Sequence, residues 1–199
     1  MPKPDVREER TAQIIAAAIV AFARLGFGKT RMDDIAREAG LSKGTLYLYF
    51  KSKDEIITAV VNQFFSEEMD GIADLLAAPI PTSEKLSMLI LQMMADTEGQ
   101  LGQYLPVWLE FYALAARESA FRDMMLQYMN QFIDLFTALI QRGIDDGEFR
   151  PVDARDTAVA MVAQLEGIIL LWAVDKELLD LMRVTETAVD LFLRGLKSP

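Results

Sequence analysis

Residues 32–51 read MDDIAREAGLSKGTLYLYFK and predict two short helices joined by a tight turn. Ile35, Ala39 and Leu46 lie at helical spacing and give the two helices an apolar underside. Gly40 stands between them, and glycine adopts the positive φ of a sharp turn without steric cost. The second helix keeps an outward face of hydroxyls, one ammonium and flat rings, with no carboxylate. This stretch is interpreted as a helix-turn-helix whose second helix enters the major groove of DNA.

Each part of this pattern also has a purely structural interpretation. Taken alone, Tyr47 and Tyr49 are more often half-buried packing residues, and Lys43, Lys51 and Lys53 could form an ordinary solvated surface. The combination favours DNA, because three lysines, two tyrosines and two hydroxyls fall within twelve residues of an otherwise acidic protein.

The charge distribution supports the same interpretation. The net charge is -10, but residues 1–55 hold ten Lys and Arg against eight Asp and Glu. Residues 56–199 hold ten Lys and Arg against twenty-two Asp and Glu. Local charge decides whether a surface can approach phosphate. We therefore predict two domains, a DNA-binding head over residues 1–55 and an acidic body over residues 56–199.

Helical periodicity dominates the whole chain, and the predicted fold class is all-α with about nine helices. In the head, Gly26 ends the first helix, and Thr30 and Asp33 have the spacing of a capping box for the second. Ser42, just before Lys43, is the predicted N-cap of the third. Pro79 and Pro81 end a long helix that begins near Lys53 and reaches about residue 78. Further helices are predicted at 83–98, 103–116, 119–142, 153–174 and 184–196.

Composition excludes several classes of function. The chain has no cysteine and no histidine, which removes disulfides, thiolate or imidazole metal sites, and catalysis by cysteine or histidine. No paired carboxylates are committed to acid–base work, so we predict no enzyme, no metal and no cofactor. The most apolar run, 158–174, contains Gln164, Glu166 and Gly167 and is shorter than the ~20 residues of a membrane span. A soluble cytoplasmic protein without a membrane segment is expected.

The stretches FARLGF (22–27) and TRMDDIAREAGLSKGTLYLYFKSKDEI (30–56) resemble the N-terminal domain of tetracycline-repressor-like (TetR/AcrR) transcriptional regulators. The resemblance covers roughly residues 10–60, and it implies a homodimeric DNA-binding repressor that a small ligand releases. It also implies phosphate or base contacts at Thr30, Arg31, Ser42, Lys43, Gly44, Thr45, Tyr47, Tyr49 and Lys53. Two positions depart from the family pattern, since many members have Thr or Ser in place of Arg31 and His in place of Tyr49.

Residues 83–142 mix methionine with aromatic residues, which suits a cavity for varied apolar molecules, although plain core is the more frequent explanation. Glu110 and Glu166 lie in apolar stretches, where a carboxylate must find a partner or a route to water. The partner is either a cationic or hydrogen-bonding ligand or a structural arginine. The predicted ligand-binding residues are Met93, Tyr104, Trp108, Glu110, Phe111, Tyr112, Tyr128, Phe132 and Glu166.

The last two helices carry small and apolar residues at helical spacing, which allows another helix to approach closely. Two such helices from each subunit would form a four-helix interface, and packing within one subunit is the competing explanation. The resemblance favours the dimer. The predicted interface residues are Ala160, Ala163, Gly167, Leu171, Ala188, Leu191 and Phe192.

The leading hypothesis is a repressor that binds a palindromic double-stranded DNA operator as a homodimer. A small hydrophobic ligand releases it from the operator. The carboxylates of Glu110 and Glu166 would suit a cationic ligand. The tilt of the helix that begins near Lys53 would carry the signal between the ligand and the head. The alternative is a helical carrier or sensor of hydrophobic molecules whose head binds a protein partner.

Overall fold

A computed structural model describes residues 6–69, 72–98 and 104–197, and these residues form ten α-helices. The helices are Val6–Leu25 (α1), Met32–Glu38 (α2), Lys43–Tyr49 (α3), Lys53–Met69 (α4), Ile72–Ala77 (α5), Thr82–Glu98 (α6), Leu105–Ala115 (α7), Ser119–Asp145 (α8), Ala154–Val174 (α9) and Leu181–Leu196 (α10). Within the described part of the chain, β pairing is limited to one isolated bridge between Phe149 and Lys197. The all-α prediction is confirmed.

Several predicted helix boundaries differ from the structure, and α8 ends at Asp145 instead of 142. The long helix predicted from Lys53 to about residue 78 is described as α4 and α5, and residues 70–71 between them lie outside the described residues. The last helix begins at Leu181 instead of 184, because the carboxylate of Asp180 caps it by accepting from the Arg183 N–H at 2.9 Å.

The described residues divide into two compact units. The first comprises 6–68 and 104–116, and the second comprises 69, 72–98 and 117–197. This division differs from the predicted boundary at residues 55–56, because most of α4 and all of α7 group with the three head helices. The functional roles assigned to the two predicted domains stay a prediction.

The three head helices share one small core. Phe22 of α1, Ile35 of α2 and Leu46 of α3 are each almost wholly buried. Gly40 has φ +64°, so the predicted left-handed turn between α2 and α3 is confirmed. Gln13 of α1 donates from Nε2 to the carbonyl at the C-terminal end of α2, at 2.7 Å. These contacts fix the angle between the two helices of the helix-turn-helix.

The N-terminus of α2 is capped one residue later than predicted. Arg31 is the N-cap, so the third helical position is Asp34 and not Asp33. The Arg31 N–H donates to Asp34 Oδ2 at 3.0 Å. This hydrogen bond, with a smaller contribution from Arg37, holds the pKa of Asp34 below its ordinary value of 3.8.

In the second unit, the carboxylate of Glu148 caps the N-terminus of α6. Glu148, after α8, accepts from the backbone N–H groups of Thr82 at 2.7 Å and Ser83 at 3.0 Å, and from the Ser83 hydroxyl at 3.0 Å. Burial raises the pKa of Glu148, but the hydrogen bonds from Ser83 and Thr82 outweigh this effect and leave the pKa below its ordinary value of 4.5. The segment after α8 is thereby tied to the start of α6.

We expect Glu148→Gln to lower the free energy of unfolding by about 1–2 kcal/mol at neutral pH, the cost typical of losing a helix cap. Because the folded-state pKa is lowered, the stabilisation from Glu148 is complete above pH 4.5 and is lost as the pH falls through that lowered value. The difference between variant and wild type should therefore shrink on acidification. Urea unfolding at a series of pH values measures it, and a difference that grows with acid would contradict this assignment.

Candidate functional site

The outward face of α3 is the largest part of the predicted DNA-binding surface. Ser42, Lys43, Gly44, Tyr47 and Leu48 are exposed there. Ser42 is the N-cap of α3, as predicted, and its Oγ accepts from the backbone N–H at position 45 at 3.1 Å. The two hydroxyls of this first turn lie 2.8 Å apart. The N-terminal end of α3 therefore presents small polar groups on a rigid turn.

Leu48 was missed by the sequence analysis, and Tyr49 was placed too far outward. Leu48 is 72% exposed, whereas Tyr49 and Thr45 are half-buried. At 3.6 residues per turn, position 48 lies almost opposite the buried Leu46, and position 49 returns toward it. The helical spacing itself was the signal that would have found Leu48.

A carboxylate also approaches this surface, which the sequence analysis did not expect. Lys43 Nζ lies 2.8 Å from Asp33 Oδ1, and both side chains are more than half exposed. The hydrogen bond to Asp33 raises the pKa of Lys43 above its ordinary value of 10.5. Lys43 is thus already paired within the protein.

Three other predicted DNA contacts lie around the turn between α1 and α2. Thr30 is buried, and its hydroxyl donates to the carbonyl of Gly26 at 2.7 Å, so its side chain supports the turn. Arg31 is exposed at the start of α2. Lys53 is half-buried and donates from Nζ to the carbonyl of Phe27 at 2.5 Å. Contacts of these residues with DNA stay predictions. Because the Thr30 side chain is buried, its burial argues against a direct contact with DNA.

Glu110 of α7 also contacts the turn between α1 and α2. Its carboxylate accepts a hydrogen bond from the backbone N–H of Phe27. Gly26 has φ +79°, and a Cβ at that position would stand 2.5 Å from Glu110 Oε1. The carboxylate predicted to meet a ligand or an arginine is thus held by the head.

A cluster of aromatic rings connects α4 and α7. Phe64 of α4 stacks on Trp108 of α7, with centroids 5.2 Å apart and an interplanar angle of 27°. Phe111 and Tyr112 of α7, and Tyr104 immediately before it, lie against Phe64 or Trp108, with centroids 5.3–5.8 Å apart. These five residues are called the ring cluster. Phe64, Tyr104, Trp108 and Phe111, with three valines, enclose a cavity of about 10 Å³, room for roughly one water molecule.

The remaining predicted ligand residues lie in the second unit. Tyr128 and Phe132 of α8 are buried and pack edge to face, with centroids 4.8 Å apart. Met93 of α6 and Glu166 of α9 are half-buried. A ligand contact from any of these residues stays a prediction.

The predicted interface residues divide into an exposed set and a packed set. Ala160, Ala163, Leu171 and Leu191 are exposed, and Gly167 is half-buried with no atom within 4 Å of an added Cβ among the described residues. Ala188, in contrast, is buried, and it lines a cavity of about 10 Å³ between α6, α9 and α10 together with the half-buried Phe192. Ala188 is therefore a contact inside the protomer, because it shares the buried stripe of α10.

Helix α9 is long and apolar enough to cross a membrane by length and composition alone, with a mean hydropathy of 1.8 over its most apolar window. Only 28% of that window is buried, and Leu170, Leu171 and Val174 are more than half exposed. The helix nevertheless packs against α8 and α10. Among the described residues, its outward side is therefore an exposed apolar face.

The head and the outward face of α3 define a DNA-binding protein of the helix-turn-helix class. Residues 14–60 match the family model described as bacterial regulatory proteins, tetR family, and residues 82–196 match the C-terminal domain of BetI-type transcriptional repressors. The chain belongs to the TetR family of bacterial transcriptional regulators. The resemblance predicted over residues 10–60 is confirmed, and the match to the BetI-type domain extends the family assignment to residues 82–196.

Individual relatives agree with this assignment. The HTH-type transcriptional regulator YfiR of Bacillus subtilis is 31% identical over 92% of this chain and 89% of its own length. BetI of Agrobacterium fabrum is 27% identical over 100% of this chain and 93% of its own. A regulator from Saccharomonospora viridis in complex with choline has the same fold, with a TM-score of 0.85 at 22% identity over 96% of this chain and 100% of its own. These relatives do not favour the alternative of a carrier with a protein-binding head.

Proposed function

We propose that this regulator binds a palindromic operator as a homodimer, represses transcription there, and leaves the DNA when a hydrophobic cation of the quaternary ammonium class binds. The outward face of α3 carries the DNA half of the proposal, because it presents donors and apolar groups on a helix held rigidly by the head core. We place the protein in the cytoplasm, with no catalytic activity.

The DNA half is tested by selecting duplexes from a random-sequence library with the full-length protein. We expect an enriched inverted repeat whose half-sites are about one helical turn apart. Affinity for the enriched operator should fall steeply with salt and exceed affinity for random duplexes by at least about 10³-fold. Enrichment of no sequence, or equal binding to random DNA, contradicts this half.

We expect Asp33→Asn to tighten DNA binding. The substitution frees the Lys43 ammonium and removes a negative charge beside the proposed phosphate path. Each new phosphate contact should steepen the slope of log affinity against log salt by about 0.9. Fluorescence anisotropy at several salt concentrations measures this slope, with Asp123→Asn on α8 as a control of equal charge. Weaker binding by Asp33→Asn would show that the ion pair orients α3.

The ligand half rests on the ring cluster. Aromatic faces attract quaternary ammonium groups, and Phe64, Tyr104, Trp108 and Tyr112 place such faces on α4 and α7. A cavity of about 10 Å³ is too small for such a group, so the ligand must enter between stacked rings such as Phe64 and Trp108. The choline complex of the Saccharomonospora viridis relative supports this class of ligand.

The ligand half is tested with choline and with 3,3-dimethyl-1-butanol, its neutral analogue of the same shape. A Trp172→Phe background makes Trp108 the single tryptophan. We expect choline to change Trp108 fluorescence and to release the selected operator, and the neutral analogue to do neither at equal concentration. Equal responses to both compounds would show that shape, and not charge, is recognised.

The outward side of α9 supports the homodimer. Ala160, Ala163 and Gly167 let a second helix approach closely, and Leu171 adds apolar area beside them. A second copy of the chain would cover this face by two-fold symmetry. Glu166 lies in the middle of this helix, where a carboxylate would be costly in a membrane, so the face suits a protein interface better than a bilayer.

A further inference from the structure

Phe27 is held by three contacts, one through its ring and two through its backbone. Its ring is buried in the head and packs edge to face on Phe22, with centroids 4.7 Å apart. Its N–H donates to the carboxylate of Glu110 on α7, and its carbonyl accepts from Lys53 on α4 at 2.5 Å. One residue of the α1–α2 turn therefore connects the head core to two further helices through charged groups.

The absence of a side chain at Gly26, the residue before Phe27, leaves room for the carboxylate of Glu110. Gly26 has φ +79°, and a Cβ there would stand 2.5 Å from Glu110 Oε1. Hydrogen bonds to ionised groups are stronger than neutral ones, and this one is partly buried. Glu110 thus fixes the turn relative to α7 more firmly than apolar packing alone would.

The helices that hold Phe27 are also the helices that form the ring cluster. On α7, Trp108 is two residues from Glu110. On α4, Phe64 is eleven residues from Lys53, about 16 Å along the helix at 1.5 Å per residue. A shift of α7 against α4 at Phe64 and Trp108 would therefore also move Glu110 relative to Lys53, and both of these residues hold Phe27.

We infer that Glu110 is a positioning residue, through which α7 sets the position of the α1–α2 turn and of the helix-turn-helix that follows it. The sequence alone predicts this transmission through the helix that begins near Lys53. In the structure, α7 binds the backbone N–H of Phe27 and α4 binds its carbonyl. Separation of the rings then disturbs the turn at Phe27 directly. The inference rests on the proposed function, since it requires a head that binds DNA and a ring cluster that controls it.

A double-mutant cycle tests the inference without any ligand. Trp108→Leu removes the stack on Phe64, and Glu110→Ala removes the acceptor for the Phe27 N–H. With Glu110 present, we expect Trp108→Leu to change affinity for the selected operator at least fivefold, the lower end of ordinary coupling between sites. In the Glu110→Ala background the same substitution should change affinity less than twofold. If Trp108→Leu lowers the Tm, Trp108→Phe replaces it in the same comparison of the two backgrounds.

Amide exchange at Phe27, measured relative to the other phenylalanine amides, separates loss of this one hydrogen bond from a general loss of stability. In protein labelled with ¹⁵N-phenylalanine, Glu110→Ala should speed exchange at Phe27 at least tenfold. Glu110→Gln keeps an acceptor oxygen and should preserve both the slow exchange and the coupling, and Glu8→Ala on α1 is an exposed control. An equal effect of Trp108→Leu in both backgrounds, no effect in either, or unchanged exchange in Glu110→Ala overturns the inference. Failure to enrich any operator overturns the proposed function as well.

Discussion

Gly167→Leu is expected to convert the proposed dimer into monomers that keep their helical content. Among the described residues outside its own helical turn, no atom lies within 4 Å of a Cβ added at position 167, so the protomer leaves space where the new side chain begins. In a two-fold interface each substitution occurs twice. Overpacking typically costs about 1–3 kcal/mol per site, so dimerisation should weaken by about 2–6 kcal/mol. Sedimentation velocity over a concentration series measures the change.

The same substitution should remove high-affinity operator binding. A monomer engages one half-site, and loss of the linked second contact typically lowers affinity by about 10²- to 10⁴-fold. Gly167→Ala is the matched control, because it also replaces a helical glycine and raises helix propensity but adds only a methyl group. We expect Gly167→Ala to remain dimeric. A Gly167→Leu protein that sediments as an unchanged dimer would move the interface away from the middle of α9.

Local rules predicted much of the head. Gly40 has the positive φ that the sequence required, and Ser42 caps α3 as its position before Lys43 suggested. Both features depend on residues within a few positions of each other, where capping and turn chemistry are decisive. One local error, the choice of Asp33 over Asp34 as the capping carboxylate, came from taking Thr30 and not Arg31 as the N-cap of α2.

Contacts between distant residues could not be predicted in the same way. Glu110 and Phe27 are 83 positions apart, and the composition of the apolar stretch around Glu110 suggested a ligand or an arginine as its partner. The partner is a backbone N–H, which every residue except proline carries, so no sequence pattern marks it. Ala188 is a similar case, since a small residue on an apolar stripe fits an interface between chains as well as packing within one.

The operator should contain thymines whose 5-methyl groups are recognised by Leu48. The leucine side chain is 72% exposed on the outward face of α3, where it offers no hydrogen-bonding group. Gly44 lies one helical turn before Leu48, and because it has no side chain, it does not keep the bases of the groove apart from this face of the helix. The thymine methyl is the apolar feature on the major-groove edges of the bases, so it is the group that an exposed leucine on this helix can recognise.

Replacement of thymine by deoxyuridine in the selected operator removes this methyl and nothing else. Burial of one such group is worth about 0.8 kcal/mol. A palindrome presents the contact twice, so replacement at both symmetric positions should weaken binding by about 1.6 kcal/mol, or roughly 15-fold. The loss should occur at one thymine position in each half-site, and replacement elsewhere should change affinity little.

Leu48→Ala decides whether Leu48 carries this recognition. The variant should bind the thymine operator more weakly than wild type, and it should bind the deoxyuridine operator about as well as it binds the thymine operator, because the apolar partner of the methyl is gone. Leu25→Ala is the control, since Leu25 is a partly exposed leucine of the head that lies on α1. If Leu48→Ala keeps the full sensitivity to deoxyuridine, another residue reads the methyl group. If wild type shows no sensitivity at any thymine, α3 approaches the groove with Ser42 and Lys43 ahead of Leu48, and specificity then depends on hydrogen bonds at the N-terminal end of the helix.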